Sequence, residues 1–211
     1  MSPLVKICGV TQRAQAEAIA EAGADFIGLN FWPGSKRFLN PKSAHEWVGE
    51  LAEKVKFVGV FVNPDPRHLG AILDAIPLAG VQLHGDESPE YCADWVKKGH
   101  RVIKAFQVRD ASTLDAIANY DVQDILLDAY HPGERGGTGE TFPWELAREF
   151  LKRYPDRKLW LSGGLVPDNV AEAARGVQPH AVDVASGVEA GTPGMKDLEK
   201  VAAFIKAMKR A

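Results

Sequence analysis

Cysteine is scarce in this chain. Cys8 and Cys92 are the only two among 211 residues, and with no pair at metal-ligand spacing, neither a disulfide nor a zinc site is expected. Long hydrophobic runs are missing as well. None approaches the ~20 residues of a membrane span, and the N-terminal stretch passes directly into a strand-like run without a signal-peptide pattern, so the expected location is the cytoplasm. Charge of one sign is not in excess: 25 Lys and Arg stand against 28 Asp and Glu, for a net charge of −3. With no basic face to attract nucleic acid or an anionic membrane, the expected partner is a small molecule. No Ser/Gly-rich linker or low-complexity tract divides the sequence, and its segments share no repeat consensus, which excludes a solenoid.

What is present suffices for one substantial core. Hydrophobic residues make up 45% of the chain, and a single domain over 1–211 is the expectation. Short, near-continuous apolar runs at 4–8, 26–31, 56–62, 81–84, 102–106, 124–128, 159–162 and 181–185 read as strands buried on both faces. Helix-like periods lie between them, at 11–22 with Thr11 as N-cap, 41–53, 67–76, 88–98, 112–120, 144–154, 167–175 and 197–209. Eight βα units predict a single α/β domain, a closed (β/α)8 TIM barrel, in preference to an open doubly wound sheet. The longest irregular stretches, 32–39 and 130–142, both follow strands and so belong at the C-terminal mouth.

Three small-residue clusters follow late strands: Gly136-Gly137-Thr138-Gly139, Ser162-Gly163-Gly164 and Ala185-Ser186-Gly187. Glycines let the backbone approach an oxyanion with its N–H groups turned inward, and the loops after strands seven and eight are the usual phosphate site of such barrels. A bulky residue at Gly164 or Gly187 is expected to weaken phosphate binding with little loss of the barrel itself.

Cys8 ends the first strand and Asp128 the sixth, which puts a thiol and a carboxyl on one rim. A lone Cys is more often an inert packing residue, the role that suits Cys92, and Asp128 alone would serve as a cap or loop acceptor. Together they supply the two titratable groups that proton shuffling at adjacent carbons requires. Arg37 lies in the loop after strand two, where it is either a solvated charge or a fork for a planar carboxylate. His84 ends strand four and is read as a contact or supporting residue. Asp183 faces the barrel interior or steadies the loop of Ser186 and Gly187; the steadying role is the plainer one, and the residue stands among the candidate substrate contacts.

These residues sit in LysIleCysGlyValThr at 6–11, GlySerLysArg at 34–37, ValGlyValPheValAsn at 58–63, GlnLeuHisGlyAsp at 82–86, LeuLeuAsp at 126–128, GlyGlyThrGly at 136–139, LeuSerGlyGlyLeu at 161–165 and AspValAlaSerGlyValGlu at 183–189. In that order, nearly end to end, the chain resembles the phosphoribosylanthranilate isomerases of tryptophan biosynthesis. The resemblance implies an Amadori rearrangement of N-(5-phosphoribosyl)anthranilate to the carboxyphenylamino-deoxyribulose phosphate. It implies Asp128 as the general acid that opens the furanose ring and Cys8 as the general base that takes the proton from C2. A thiol with a reference pKa near ~8.5 is a usable base if nearby positive dipoles lower it. Arg37 would grip the anthranilate carboxylate, and Gly137, Gly163, Gly164, Ser186 and Gly187 would hold the phosphate. No cofactor and no metal is implied, and the assembled form is a monomer or a homodimer.

Two other classes compete. Another phosphosugar barrel, such as the isomerase of histidine biosynthesis or a ribulose-phosphate epimerase, works with two aspartates or adds metal-ligating histidines, and Cys8 argues against both. A catalytically silent phosphate-binding module explains the glycine clusters but not a Cys, an Asp and an Arg on the same rim.

Overall fold

The computed structural model describes residues 2–129 and 144–210. Eight strands, β1 (Leu4–Cys8), β2 (Phe26–Asn30), β3 (Lys56–Phe61), β4 (Gly80–Leu83), β5 (Val102–Val108), β6 (Asp124–Ala129), β7 (Lys158–Leu161) and β8 (Ala181–Val184), close in sequence order into a barrel. Every neighbouring pair is parallel, including β8 against β1, which removes any free edge. The helices are α1 (Arg13–Ala22), α2 (Pro41–His45), α3 (Val48–Leu51), α4 (Pro66–Ala75), α5 (Pro89–Lys97), α6 (Ala111–Ile117), α7 (Trp144–Arg153), α8 (Val170–Val177) and α9 (Leu198–Met208). The expected (β/α)8 TIM barrel is the observed architecture.

Local chemistry accounts for where most helices begin. Asp65, Ser88, Asp110 and Asp197 each accept a hydrogen bond from a first-turn N–H of the following helix, and Pro41, Pro66 and Pro89 occupy first positions that need no donor. Two expectations are corrected. Thr11 does not cap α1; the helix starts at Arg13, and the Thr11 hydroxyl donates instead to the Gly194 carbonyl at 3.1 Å. The single helix expected over 41–53 is two short ones. Trp47 leaves helical geometry between them (φ −138°) and turns its buried ring edge-on to Phe57 at 5.8 Å, so tertiary packing overrides a continuous helical period.

Strand alternation divides the core in two. Residues such as Ile7, Ile27, Leu29, Phe57 and Leu127 face the helices and form the larger shell. Phe26, Val58, Ile103, Ala105, Leu126, Trp160 and Ala181 form a separate cluster inside the barrel. At the N-terminal end of that interior, Asp124 accepts from Arg101 Nε and Nη2 (3.1 and 2.6 Å) and from the Trp160 indole (2.9 Å), so a buried carboxylate there is fully engaged. The barrel is a filled core with one wet end.

Candidate active site

The wet end is polar because the inward positions near the C-terminal ends of the strands change character. On β1 the inward series runs through Lys6 to Cys8; on β4 it passes through Gln82 and continues to His84 just past the strand's end. On β6 it ends at Asp128, and on β8 it passes through Asp183. These residues, with Arg37, Trp32 and the loops after β7 and β8, wall a cleft at the mouth of the barrel. Lys6 itself lies beneath that surface. Cys8, Arg37, His84, Asp128, Gly163, Gly164, Asp183, Ser186 and Gly187, all singled out in the sequence, are thereby brought together. Gly137 lies outside the described residues.

A continuous polar network crosses the barrel below the cleft. The Lys6 ammonium, fully buried, donates to Asp183 Oδ1 at 2.8 Å and to Gln82 Oε1 at 2.6 Å. Asp183 also accepts from the Ser162 hydroxyl at 3.2 Å. Of the two roles weighed for Asp183, it therefore takes the interior one. Burial alone would lower the Lys6 pKa, but the adjacent Asp183 and Cys8 more than offset it, and the net direction is upward. Cys8 moves the other way from what a base needs. Burial pushes its thiol up, and the nearby cations Lys6 and Lys196 recover only part of that. The expectation of a thiol lowered by positive dipoles is thus corrected for the free site: the net direction for Cys8 is upward, because burial outweighs the Lys6 ammonium beside it.

At the far side of the cleft, His84 Nε2 lies 3.6 Å from Asp128 Oδ2, too long for a hydrogen bond. Asp128 Oδ1 accepts from the backbone N–H of Ala129 at 2.9 Å. Gly163 leaves room for that carboxyl. A Cβ there would stand 2.7 Å from the Ala129 nitrogen and 3.2 Å from Asp128 Oδ1, and its φ of +88° is left-handed. Gly164 follows with φ +63°.

The loop after β8 opens into a short 3-10 turn (Ser186–Val188) that docks on the loop after β7. A Cβ on Gly187 would come within 1.9 Å of the Leu165 carbonyl oxygen. This glycine permits two backbones to touch, so replacing it would disturb the loops themselves as well as the space between them.

Arg37 is not a solvated charge. Its Nε and Nη2 donate to the two oxygens of Glu189, each at 2.8 Å, and Glu189 Oε1 also accepts from Lys196 and from the Gly194 N–H at 2.9 and 2.8 Å. Burial would raise the Glu189 pKa, yet Arg37 and Lys196 together hold it at about 2. The guanidinium thus reaches the cleft from a rigid mount.

Sequence reasoning passed over Lys6, Gln82 and Glu189. A signal existed for the first two: each stands two residues before a singled-out rim residue, on the same face of its strand. Glu189 comes from a loop with no period to read. Among the described residues no group of three or more His, Cys, Asp or Glu could hold a metal ion, and no helix is long and apolar enough to cross a membrane.

Comparison with known proteins agrees with this architecture. Residues 5–207 match the family model described as N-(5'phosphoribosyl)anthranilate (PRA) isomerase. A protein of that name from Trichlorobacter lovleyi is 48% identical over 98% of each chain. The crystal structure of phosphoribosyl anthranilate isomerase from Thermotoga maritima superposes with a TM-score of 0.90, at 41% identity over 99% of this chain and 100% of that one. A further structure of the enzyme, in complex with reduced 1-(o-carboxyphenylamino)-1-deoxyribulose 5-phosphate, is similar at 38% identity and a TM-score of 0.85, over 99% and 100% of the two chains.

Proposed function

The chain belongs to the N-(5'-phosphoribosyl)anthranilate isomerase family of tryptophan biosynthesis, and from that premise we propose how its own residues divide the chemistry. Asp128 is the general acid: it protonates the furanose ring oxygen and opens the ring to a Schiff base. Cys8 is the general base that removes the C2 proton, and the resulting enolamine tautomerises to the ketone. The observation that carries this reading is the convergence of a thiol, a carboxyl and a guanidinium from three different strands or loops on one cleft beside the glycine loops.

The raised thiol is compatible with the role. Once Cys8 gains a negative charge, the buried Lys6 ammonium beside it stabilises the thiolate, and that attraction is strong where water is excluded. Arg37 takes the anthranilate carboxylate. Its hold on Glu189 fixes the plane of the guanidinium in advance, so less freedom is lost on binding. Gly163, Gly164, Ser186 and Gly187 take the phosphate, with Gly137 as a further contact. That remote anchor places the reacting carbons between Cys8 and Asp128. The partner is a small phosphorylated substrate, as in the relative whose structure holds a reduced product.

Direct turnover tests the reading. Phosphoribosylanthranilate generated in situ should lose its anthranilate-type fluorescence with catalytic amounts of the protein. Loss no faster than the uncatalysed rate would overturn it.

A further inference from the structure

His84 Nε2 is a buried nitrogen with no hydrogen-bond partner among the described residues, and it is turned toward Asp128 in the cleft. Which of its two ring nitrogens carries a proton is decided two contacts away in the network. Lys6 can only donate, so the atom of Gln82 facing it at 2.6 Å must be the carbonyl oxygen. The other end of that amide is then the NH2 group. It stands 2.7 Å from His84 Nδ1, which must accept. An accepting Nδ1 bears no proton, and a neutral imidazole then carries its hydrogen on Nε2.

We propose that Gln82 is a positioning residue for the rearrangement: it holds His84 as the neutral Nε2–H tautomer and so presents a fixed N–H donor beside the Asp128 carboxyl. The proposal rests on the reading of Asp128 as the acid and extends it. When Asp128 gives up its proton, the N–H already aimed at it supports the carboxylate left behind, and no side chain has to turn at that moment. The same arrangement removes His84 as a rival base, because its cleft-facing nitrogen has no lone pair to offer. It also disfavours an imidazolium, whose Nδ1–H would point at the amide NH2. Charged and titratable groups surround the ring on several sides. Lys6 lies beyond Gln82, and Lys104 donates to the carbonyls of Leu83 and Gly85 on either side of His84 and to Glu87. Asp128 is the acid ahead of the ring, and Asp183 lies behind Lys6.

Gln82→Glu is the decisive variant because it is isosteric and reverses one bond. One carboxylate oxygen keeps the Lys6 contact; the other can only accept from His84, which must then carry its proton on Nδ1. With histidine labelled by ¹⁵N in the full chain at pH 8, long-range ¹H–¹⁵N correlation should show Nε2 protonated in the wild type. It should show Nδ1 protonated in Gln82→Glu. The variant should lose about 10-fold or more in kcat, with KM changed much less. Gln82→Met, which keeps the volume but neither bond, should show no single tautomer and an intermediate kcat.

A wild-type spectrum with the proton on Nδ1, or a Gln82→Glu spectrum identical to wild type, would overturn the proposal. If Gln82→Glu fails to fold, the wild-type tautomer alone decides. Failure here and failure of the functional reading are separable: the latter is absence of turnover in the wild type, whereas a wrong tautomer with turnover intact defeats only the role given to Gln82.

Discussion

Replacing Glu189 by Gln should both loosen the fold and blunt substrate binding. The side chain is almost fully buried and meets two cations, accepting from Arg37 with both oxygens and from Lys196, whose own side chain has no solvent exposure. A carboxylate held at about 2 against an ordinary 4.5 corresponds to about 3 kcal/mol of stability, at 1.36 kcal/mol per pKa unit. Because the folded value is depressed, this contribution is present above pH 4.5 and fades as the pH falls toward 2. The Gln variant leaves Lys196 buried without its anion, a change that typically costs about 3–5 kcal/mol. Urea unfolding at pH 7 should therefore show a clearly lower midpoint for Glu189→Gln, and the gap between variant and wild type should shrink between pH 4.5 and the acid limit. With the mount of Arg37 weakened, KM should rise about 10-fold while kcat changes less, the signature of lost ground-state binding. A variant as stable as wild type at pH 7, with unaltered KM, would refute both the energetics and the idea that Glu189 orients the guanidinium.

Three more expectations follow from the same geometry. Cys8→Ser and Asp128→Asn should each lower kcat by about 10²-fold or more without changing the circular dichroism spectrum, since ring opening and proton removal are separate demands; near-normal turnover in either variant would remove that residue from the mechanism. Gly187→Ala should destabilise by about 1–3 kcal/mol in thermal or urea unfolding, because its Cβ would meet the Leu165 carbonyl at 1.9 Å, and an unchanged melting temperature would show that the two loops are not held together there. Cys92 is fully buried with its thiol pushed up to about 11, so iodoacetamide at pH 8 should label it only after unfolding, and rapid native labelling mapped to Cys92 by mass spectrometry would contradict its placement.

The division between what could be read and what had to be seen follows the range of the forces involved. Eight apolar runs alternating with helical periods already specify the barrel, because strands buried on both faces are rich in apolar residues and their pattern is local. The rim residues Cys8, His84 and Asp128 were legible for a related reason: a chemically active side chain at the last position of a buried strand stands out against the apolar run before it. Glycines clustered after late strands were equally visible, since backbone approach leaves its mark directly on residue type. The break of one expected helix at Trp47 was not legible, because the ring's destination on Phe57 belongs to another element. Nor was the pairing of Arg37 with Glu189, which joins residues 152 positions apart, or the chain of contacts from Asp183 through Lys6 and Gln82 to His84. Sequence determined which groups are available and on which strand face each lies. Only closure of the barrel decided which of them touch, and a buried charge or a tautomer depends on its partner across the interior, not on its neighbour in the chain.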